Sequence, residues 1–227
     1  MKQDPQAKAE FVESRLLERY GPISWKPEGD PVAELIGTIL SANTTGKNAS
    51  VAFDALMTVF DYDWDRIRTA PPDAIIDSIR PAGMYHQKAP RIIAALERIY
   101  ADRGDYSLDY VAKMDVDAGL DYLTGFPGVG HKTASIVLLF AFNKATFPVD
   151  THIQRISQRL GISRAKADPT QVTRDWEPLV EPAHYYQLHI HLIRHGRETC
   201  TARSPKCEIC PLQDACDYYR GRGAWQR

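Results

Sequence analysis

Four cysteines stand within seventeen residues near the C-terminal end, Cys200, Cys207, Cys210 and Cys216, and the other positions of the 227-residue chain hold none. Their spacing, C-x6-C-x2-C-x5-C, constrains how that end can fold more than any other feature does. Thiolates two residues apart can grip one metal centre from a tight turn, and the wider intervals bring the outer pair in from flanking segments. Two disulfides or four unrelated thiols would suit a secreted chain, but no export signal is visible here and a reducing compartment is expected. A metal cage is therefore expected. Spacing alone does not separate a four-thiolate zinc site from a [4Fe-4S] cluster.

The 44% hydrophobic content is ordinary for a globular chain with one large core or two modest ones. No stretch offers eighteen uninterrupted apolar residues, so a soluble, cytosolic protein is expected. The net charge of -1 hides an asymmetry. Residues 1–127 carry 14 basic and 20 acidic side chains, a balance of -6, whereas residues 128–227 carry 14 basic and 9 acidic, a balance of +5. The basic part can face phosphates, although solvated surface charge has the same signature.

Apolar residues recur at helical spacing along most of the chain. Val32, Leu35, Ile36, Ile39 and Leu40 match i, i+3, i+4, i+7 and i+8, and similar stripes run over 51–60, 89–100, 133–142, 153–160 and 185–193. No alternating strand pattern competes, so the expected fold class is all-α. Pro71-Pro72 and Gly104-Asp105 mark connections, Pro90 suits a helix's first turn, and Gly196 suits a helix end. No low-complexity linker divides the chain, so lobes must be separated by packing, with boundaries near 25 and 145. An amphipathic helix over 11–20 needs an apolar surface to cover, and the C-terminal lobe is the expected one.

The segment Leu120 to Ser135, LDYLTGFPGVGHKTAS, reads as a helix, a tight turn at Pro127-Gly128-Val129-Gly130, and a second helix. Glycines let the backbone take positive φ and approach another surface closely, and a helix N-terminus offers unpaired N–H groups and positive potential to an anion. Such a seat fits a phosphate and holds a nucleic-acid backbone without reading bases. An ordinary connector between two helices has the same look. Lys132 falls in the first turn of the second helix, where the dipole makes a cation unfavourable by roughly 0.3 to 1 kcal/mol. Buried and neutral, such a lysine can attack an electrophilic carbon and form a Schiff base; charged, it is a point contact to phosphate. Asp150, in Phe147-Pro148-Val149-Asp150-Thr151-His152, precedes a helix expected to start near Thr151. Asp is a favoured N-cap, and a carboxylate so placed can also stabilise positive charge developing on a sugar.

Together, the run Phe126-Pro127-Gly128-Val129-Gly130-His131-Lys132-Thr133-Ala134, the run Val149-Asp150-Thr151-His152 and the four cysteines closely resemble the endonuclease III family. These are helix-hairpin-helix DNA glycosylases with an iron-sulfur cluster, and Leu40-Ser41-Ala42 and Gly83-Met84-Tyr85 extend the likeness over most of the chain. The resemblance implies a six-helix barrel lobe over 25–144, an iron-sulfur cluster lobe formed by 1–24 and 145–227, and DNA in the cleft between them. It implies a [4Fe-4S] cluster on Cys200, Cys207, Cys210 and Cys216, structural and DNA-orienting, with Arg197, Arg203 and Lys206 available to phosphates. Lys132 is implied as the nucleophile at the anomeric carbon of a flipped nucleotide, Asp150 as its assistant, and β-elimination as the strand-breaking step. Gly128, Val129, Gly130, His131 and Thr133 are implied as DNA contacts, Asn43 and Met84 as the side chains that fill the space of the extruded base. His152 would orient Asp150 or touch the DNA backbone.

The implied function is a bifunctional DNA glycosylase and AP lyase of base excision repair. It would act as a monomer on oxidised pyrimidines such as thymine glycol, or on abasic sites, in the cytoplasm or on the nucleoid. The base pocket departs from the family pattern: Asn43 stands where many members have Gln, Gly46 near a position often acidic, and Met84 where an aliphatic wedge is usual. An ordinary core methionine and a loop-forming asparagine are the plain explanations of Met84 and Asn43. The departures leave open an enzyme for mismatched thymine or uracil, or one that is mainly an abasic-site lyase. A non-catalytic iron-sulfur DNA-binding protein is a third option, against which Lys132 and Asp150 both speak. His184, His189, His191 and His195 are expected in packing and polar contacts, since His191 and His195 at i, i+4 lack the carboxylate of a HExxH zinc site between them.

Overall fold

The computed structural model describes residues 4–26 and 29–221. These residues form helices joined by turns, with no strand among them, as the 3.6-residue periodicity predicts. Two compact units emerge, a two-segment unit from Met1–Lys26 and Ala145–Arg227 and a continuous unit from Pro27–Lys144. No helix among the described residues is long and apolar enough to cross a membrane.

The two-segment unit opens with α1 (Pro5–Tyr20). The continuous unit follows with α2 (Pro31–Ser41), α3 (Gly46–Val59), α4 (Trp64–Thr69), α5 (Pro72–Ile79), α6 (Tyr85–Arg103), α7 (Val116–Thr124) and α8 (His131–Phe142). Then α9 (Thr151–Leu160), α10 (Pro169–Trp176), α11 (Tyr185–Glu198) and the single turn α12 (Asp217–Arg220) return to the first unit. Three helices start on an Asp-Pro pair. Asp4, Asp30 and Asp168 accept from the amides of Ala7, Val32 and Gln171 at 3.3, 2.8 and 2.9 Å, and each following proline takes the first helical position, where no N–H is needed.

In the continuous unit, α2 buries Val32, Leu35, Ile36, Ile39 and Leu40, none more than 4% exposed, and packs on α3, α6 and α8. Burying each such side chain contributes about 1.5–3 kcal/mol, so this stripe fixes α8, and with it the glycine turn, to the core. In the two-segment unit, α1 buries Ala9, Val12 and Leu16 and packs on α11. Buried Lys8 on the same helix donates to the Leu160 carbonyl and pairs with Asp217 at 3.0 Å. Trp176 is fully buried and its Nε1–H donates to Ser157 Oγ at 2.7 Å.

Pro71 and Pro72 mark the connection from α4 to α5, as expected, and serve as the N-cap and first residue of α5. Two punctuation residues, Pro90 and Gly196, sit differently from expectation. Pro90 is the sixth residue of α6, because the chain turns into that helix earlier, at Met84; it is exposed, so the bond its missing N–H denies to the His86 carbonyl faces water. Gly196 lies inside α11 rather than ending it, and a Cβ there would stand 2.8 Å from the Cβ of His152. In an open helix Gly→Ala stabilises by about 1 kcal/mol, whereas forcing atoms into a packed contact costs about 1–3 kcal/mol. Gly196→Ala is therefore expected to lower the unfolding free energy measured in urea, and a stabilised variant would contradict the close packing of α9 on α11.

Candidate functional site

The hairpin between α7 and α8 is built from within. Gly125 N–H donates to the Tyr122 carbonyl at 3.2 Å, Phe126 N–H to Leu123 at 3.1 Å, and Val129 N–H to Phe126 at 3.0 Å. Gly128 has φ +77°, a left-handed conformation that favours glycine, and the Arg91 side chain lies where its Cβ would stand. Arg98 sits over the Phe126 and Tyr122 rings, 4.5 and 5.2 Å from their centroids, so two arginines of α6 brace the turn. Gly128, Gly130, His131 and Lys132 remain exposed and Thr133 half-buried. Gly130 is the N-cap of α8 and no side chain caps its first turn, which leaves first-turn amides for an anion. Val129 differs from its neighbours. Its amide donates within the turn and its side chain is buried, so it shapes the hairpin and offers no donor.

The exposure of Lys132 removes the option of a lysine buried by its own chain; its amine is open to an incoming substrate. Asp150, half-buried, caps α9: its Oδ1 accepts from the amides of His152 at 2.9 Å and Ile153 at 2.8 Å. The cap uses one carboxylate oxygen, so capping and chemistry are compatible roles. The His152 ring meets Arg155 Nη2 at 3.1 Å and packs against Gly196; what Asp150 holds is the His152 backbone.

Within the continuous unit, Asn43 and Met84 come together. Asn43 Nδ2 lies 3.6 Å from Met84 Sδ, and both residues are left-handed, with φ 54° and 50°. Such backbone costs an ordinary side chain about 1–2 kcal/mol and Asn less. Met84 is 42% exposed, so it is not the core methionine that composition alone allows. Gly46 is the first residue of α3, beside the N-cap Thr45, whose Oγ1 accepts from the Asn48 amide at 3.2 Å.

At the other end of the chain, all four cysteines are free thiols lining one pocket with Arg159, Lys206, Tyr218 and Tyr219, and no carboxylate or imidazole lines it. Among the described residues no three His, Cys, Asp or Glu side chains converge on a single-ion position. The thiols instead surround a shared space, as a polynuclear cluster with one iron per thiolate requires. Burial pushes the Cys210 thiol up to about 12 and raises Cys216 as well, so these two thiolates would need nearby positive charge, which iron would supply. The donor set therefore fits an iron-sulfur cluster. Two arginines that the sequence reading passed over brace the loop. Arg159 donates to Cys200 Sγ at 3.2 Å and to the carbonyls of Thr201 and Ala202 at 2.8 and 2.9 Å. Arg155 donates to the carbonyls of Cys200 and Gly196, both at 3.0 Å. Their one available signal was two cations a turn apart on α9.

The histidines do serve packing. His184 pairs with Glu13 at 3.1 Å, His189 donates to the Pro148 carbonyl at 2.9 Å, and His191 to the Gly21 carbonyl at 2.9 Å. His195 Nε2 lies 3.6 Å from Cys210 Sγ, and burial pushes its imidazole down to about 4.

Comparison with known proteins places this geometry. Residues 36–182 match the family model of the HhH-GPD superfamily base excision DNA repair proteins, and residues 200–216 match the iron-sulfur binding domain of endonuclease III. Endonuclease III of Sulfolobus acidocaldarius is 38% identical over 188 residues, 82% of each chain. That of Thermotoga maritima is 35% identical over 86% of this chain and 87% of its own. A solved structure of a trapped endonuclease III–DNA covalent intermediate superposes with a TM-score of 0.82 at 25% identity, covering 96% of this chain and 98% of that one. The all-helical fold, the uncapped glycine hairpin and a thiolate pocket whose cofactor is a [4Fe-4S] cluster thus have one explanation: the chain belongs to the endonuclease III family of the HhH-GPD superfamily of base excision DNA repair enzymes.

Proposed function

We propose that this DNA glycosylase and AP lyase acts as a monomer on duplex DNA, removes oxidised pyrimidines such as thymine glycol, and cleaves the abasic strand by β-elimination. The observation that carries this reading is Lys132, whose exposed amine stands one residue into a helix with an uncapped first turn. Backbone N–H groups around Gly128, Gly130, His131 and Thr133 seat a phosphate, with Val129 shaping the turn, and the adjoining sugar is presented to Lys132. The neutral amine attacks C1′, the bond to the base breaks, the base leaves with a proton, and ring opening gives an imine on Lys132. The Asp150 carboxylate stabilises positive charge developing on the sugar and accepts a proton from the attacking nitrogen. Removal of the acidified C2′ proton expels the 3′ phosphate, and hydrolysis of the imine restores the amine.

Extrusion of the target nucleotide costs a few kcal/mol, which Asn43 and Met84 offset by entering the vacated space. His152, held by Arg155, is a further contact to the DNA backbone. Cys200, Cys207, Cys210 and Cys216 are the cluster ligands, and the cluster supplies structure to its unit, where exposed Arg197, Arg203 and Lys206 can meet phosphates.

Gly46 gives α3 no first-turn carboxylate, and Asn43 is a short amide. These favour a second reading with preference for mismatched thymine or uracil, or for abasic sites. A panel of duplexes, each with one lesion, separates the two. Thymine glycol is expected to be released at least about tenfold faster than mismatched thymine, a difference of about 1.4 kcal/mol in barrier. A reversed order would establish the second reading, and abasic cleavage without release of any base would leave a lyase only.

A further inference from the structure

We propose that Lys88 is a positioning residue for base extrusion: it ties the two segments that carry Asn43 and Met84 to one buried point and so fixes the pair that enters the duplex. The proposal rests on the reading of Asn43 and Met84 given above.

Lys88 lies on α6 and is 1% exposed. Its Nζ donates to the Leu40 carbonyl at 2.7 Å and to the Ala82 carbonyl at 2.9 Å. Leu40 belongs to the last turn of α2, where carbonyls have no helical partner and a cation is favoured; Asn43 follows three residues later. Ala82 ends the short turn Arg80–Ala82, and Met84 follows two residues later. The Lys88 backbone N–H completes the arrangement by donating to the Met84 carbonyl at 3.0 Å. One residue thus holds both approach segments and the start of α6.

Burying a lysine is costly, and the hydrogen bonds of Lys88 go to carbonyls and not to a carboxylate. Burial, and secondarily the charge of Arg91, lowers the affinity of its amine for a proton, yet a neutral amine still keeps two N–H donors, one for each carbonyl. Left-handed backbone at Asn43 and Met84 persists only where the surroundings over-determine it. Lys88 is the group that over-determines it from beneath, holding the two side chains within 3.6 Å of each other.

The test compares the wild-type enzyme with Lys88→Met, which keeps most of the length and the apolar bulk but removes both donors, on duplex thymine glycol and on a single-stranded abasic oligonucleotide that needs no extrusion. The expected result is a loss of about 10- to 100-fold on the duplex, with the single-stranded rate within about threefold. Adding Met84→Ala to Lys88→Met should then cost little more than either change alone, because both remove one function. Lys88→Gln, able to serve one carbonyl, is run alongside and should show the same selective loss in smaller degree; it decides the matter should Lys88→Met not fold. Equal losses on both substrates, or full additivity with Met84→Ala, would overturn the proposal while leaving the enzyme reading intact. A wild-type enzyme inactive on both substrates would overturn that reading and this one with it.

Discussion

Lys132→Gln is expected to form no covalent adduct with abasic DNA under borohydride and to cleave the abasic strand about a thousandfold or more slowly. The expectation follows from where the residue stands. Its side chain is exposed in the first turn of α8 and, among the described residues, no hydrogen bond involves its amine, so the substitution removes the nucleophile without opening a cavity. Exposed substitutions of this kind change stability by about 0.5 kcal/mol or less, and a thermal melt should show an unchanged fold. DNA affinity should also persist, since the phosphate seat is made of backbone amides that no side-chain change at 132 removes. A variant that binds duplex in a gel-shift assay but fails to trap or cleave is the outcome consistent with covalent catalysis. A variant that still traps would show that another amine carries the reaction.

Asp150→Asn is expected to slow base release by about 10²- to 10⁴-fold while leaving the protein as stable as before. The structure makes this a sharp separation of roles. Asp150 Oδ1 accepts the amides of His152 and Ile153 and thereby starts α9, a task Asn performs about equally well. An amide cannot, however, carry the negative charge that stabilises an oxocarbenium-like sugar or take a proton from the attacking nitrogen. Single-turnover base release and urea denaturation, measured together, distinguish the possibilities. If Asp150 is only a cap, Asp150→Asn leaves the rate unchanged, and Asp150→Ala costs about 1 kcal/mol of stability with a proportionate change in activity. If Asp150 assists the chemistry, the Asn variant is stable and slow.

The parts of the fold that were legible in the sequence are those where one periodic signal spans several turns. The apolar stripe of α2 is such a case, and all five of its residues are buried; α3, α6, α8, α9 and α11 follow the same rule. Short helices escaped it. The eight-residue α10 has too few turns for periodicity, although Asp168-Pro169 announces its start as Asp4-Pro5 and Asp30-Pro31 announce α1 and α2. Gly196 was misplaced because local propensity ranks glycine as a helix terminator, while a long-range contact with His152 makes it an interior residue of α11.

The candidate site divides in the same way. The cysteines and the glycine hairpin are motifs of contiguous spacing and could be read directly. Lys88 could not. A lysine reads as a solvated side chain, and one of the two carbonyls that hold it belongs to Leu40, 48 residues away. Arg155 and Arg159 were hidden for the same reason, since the cluster loop they grip is more than 40 residues distant. The left-handed conformation of Met84 carries no compositional mark, and only the folded structure shows its side chain to be a neighbour of Asn43.

The decisive measurement for the catalytic mechanism is peptide mass spectrometry of the borohydride-trapped complex after nuclease and protease digestion. The reduced sugar remnant is expected on Lys132, within the peptide that contains Gly130-His131-Lys132. A remnant on any other amine, or strand cleavage that proceeds with no remnant on the protein, would contradict a Schiff base at Lys132.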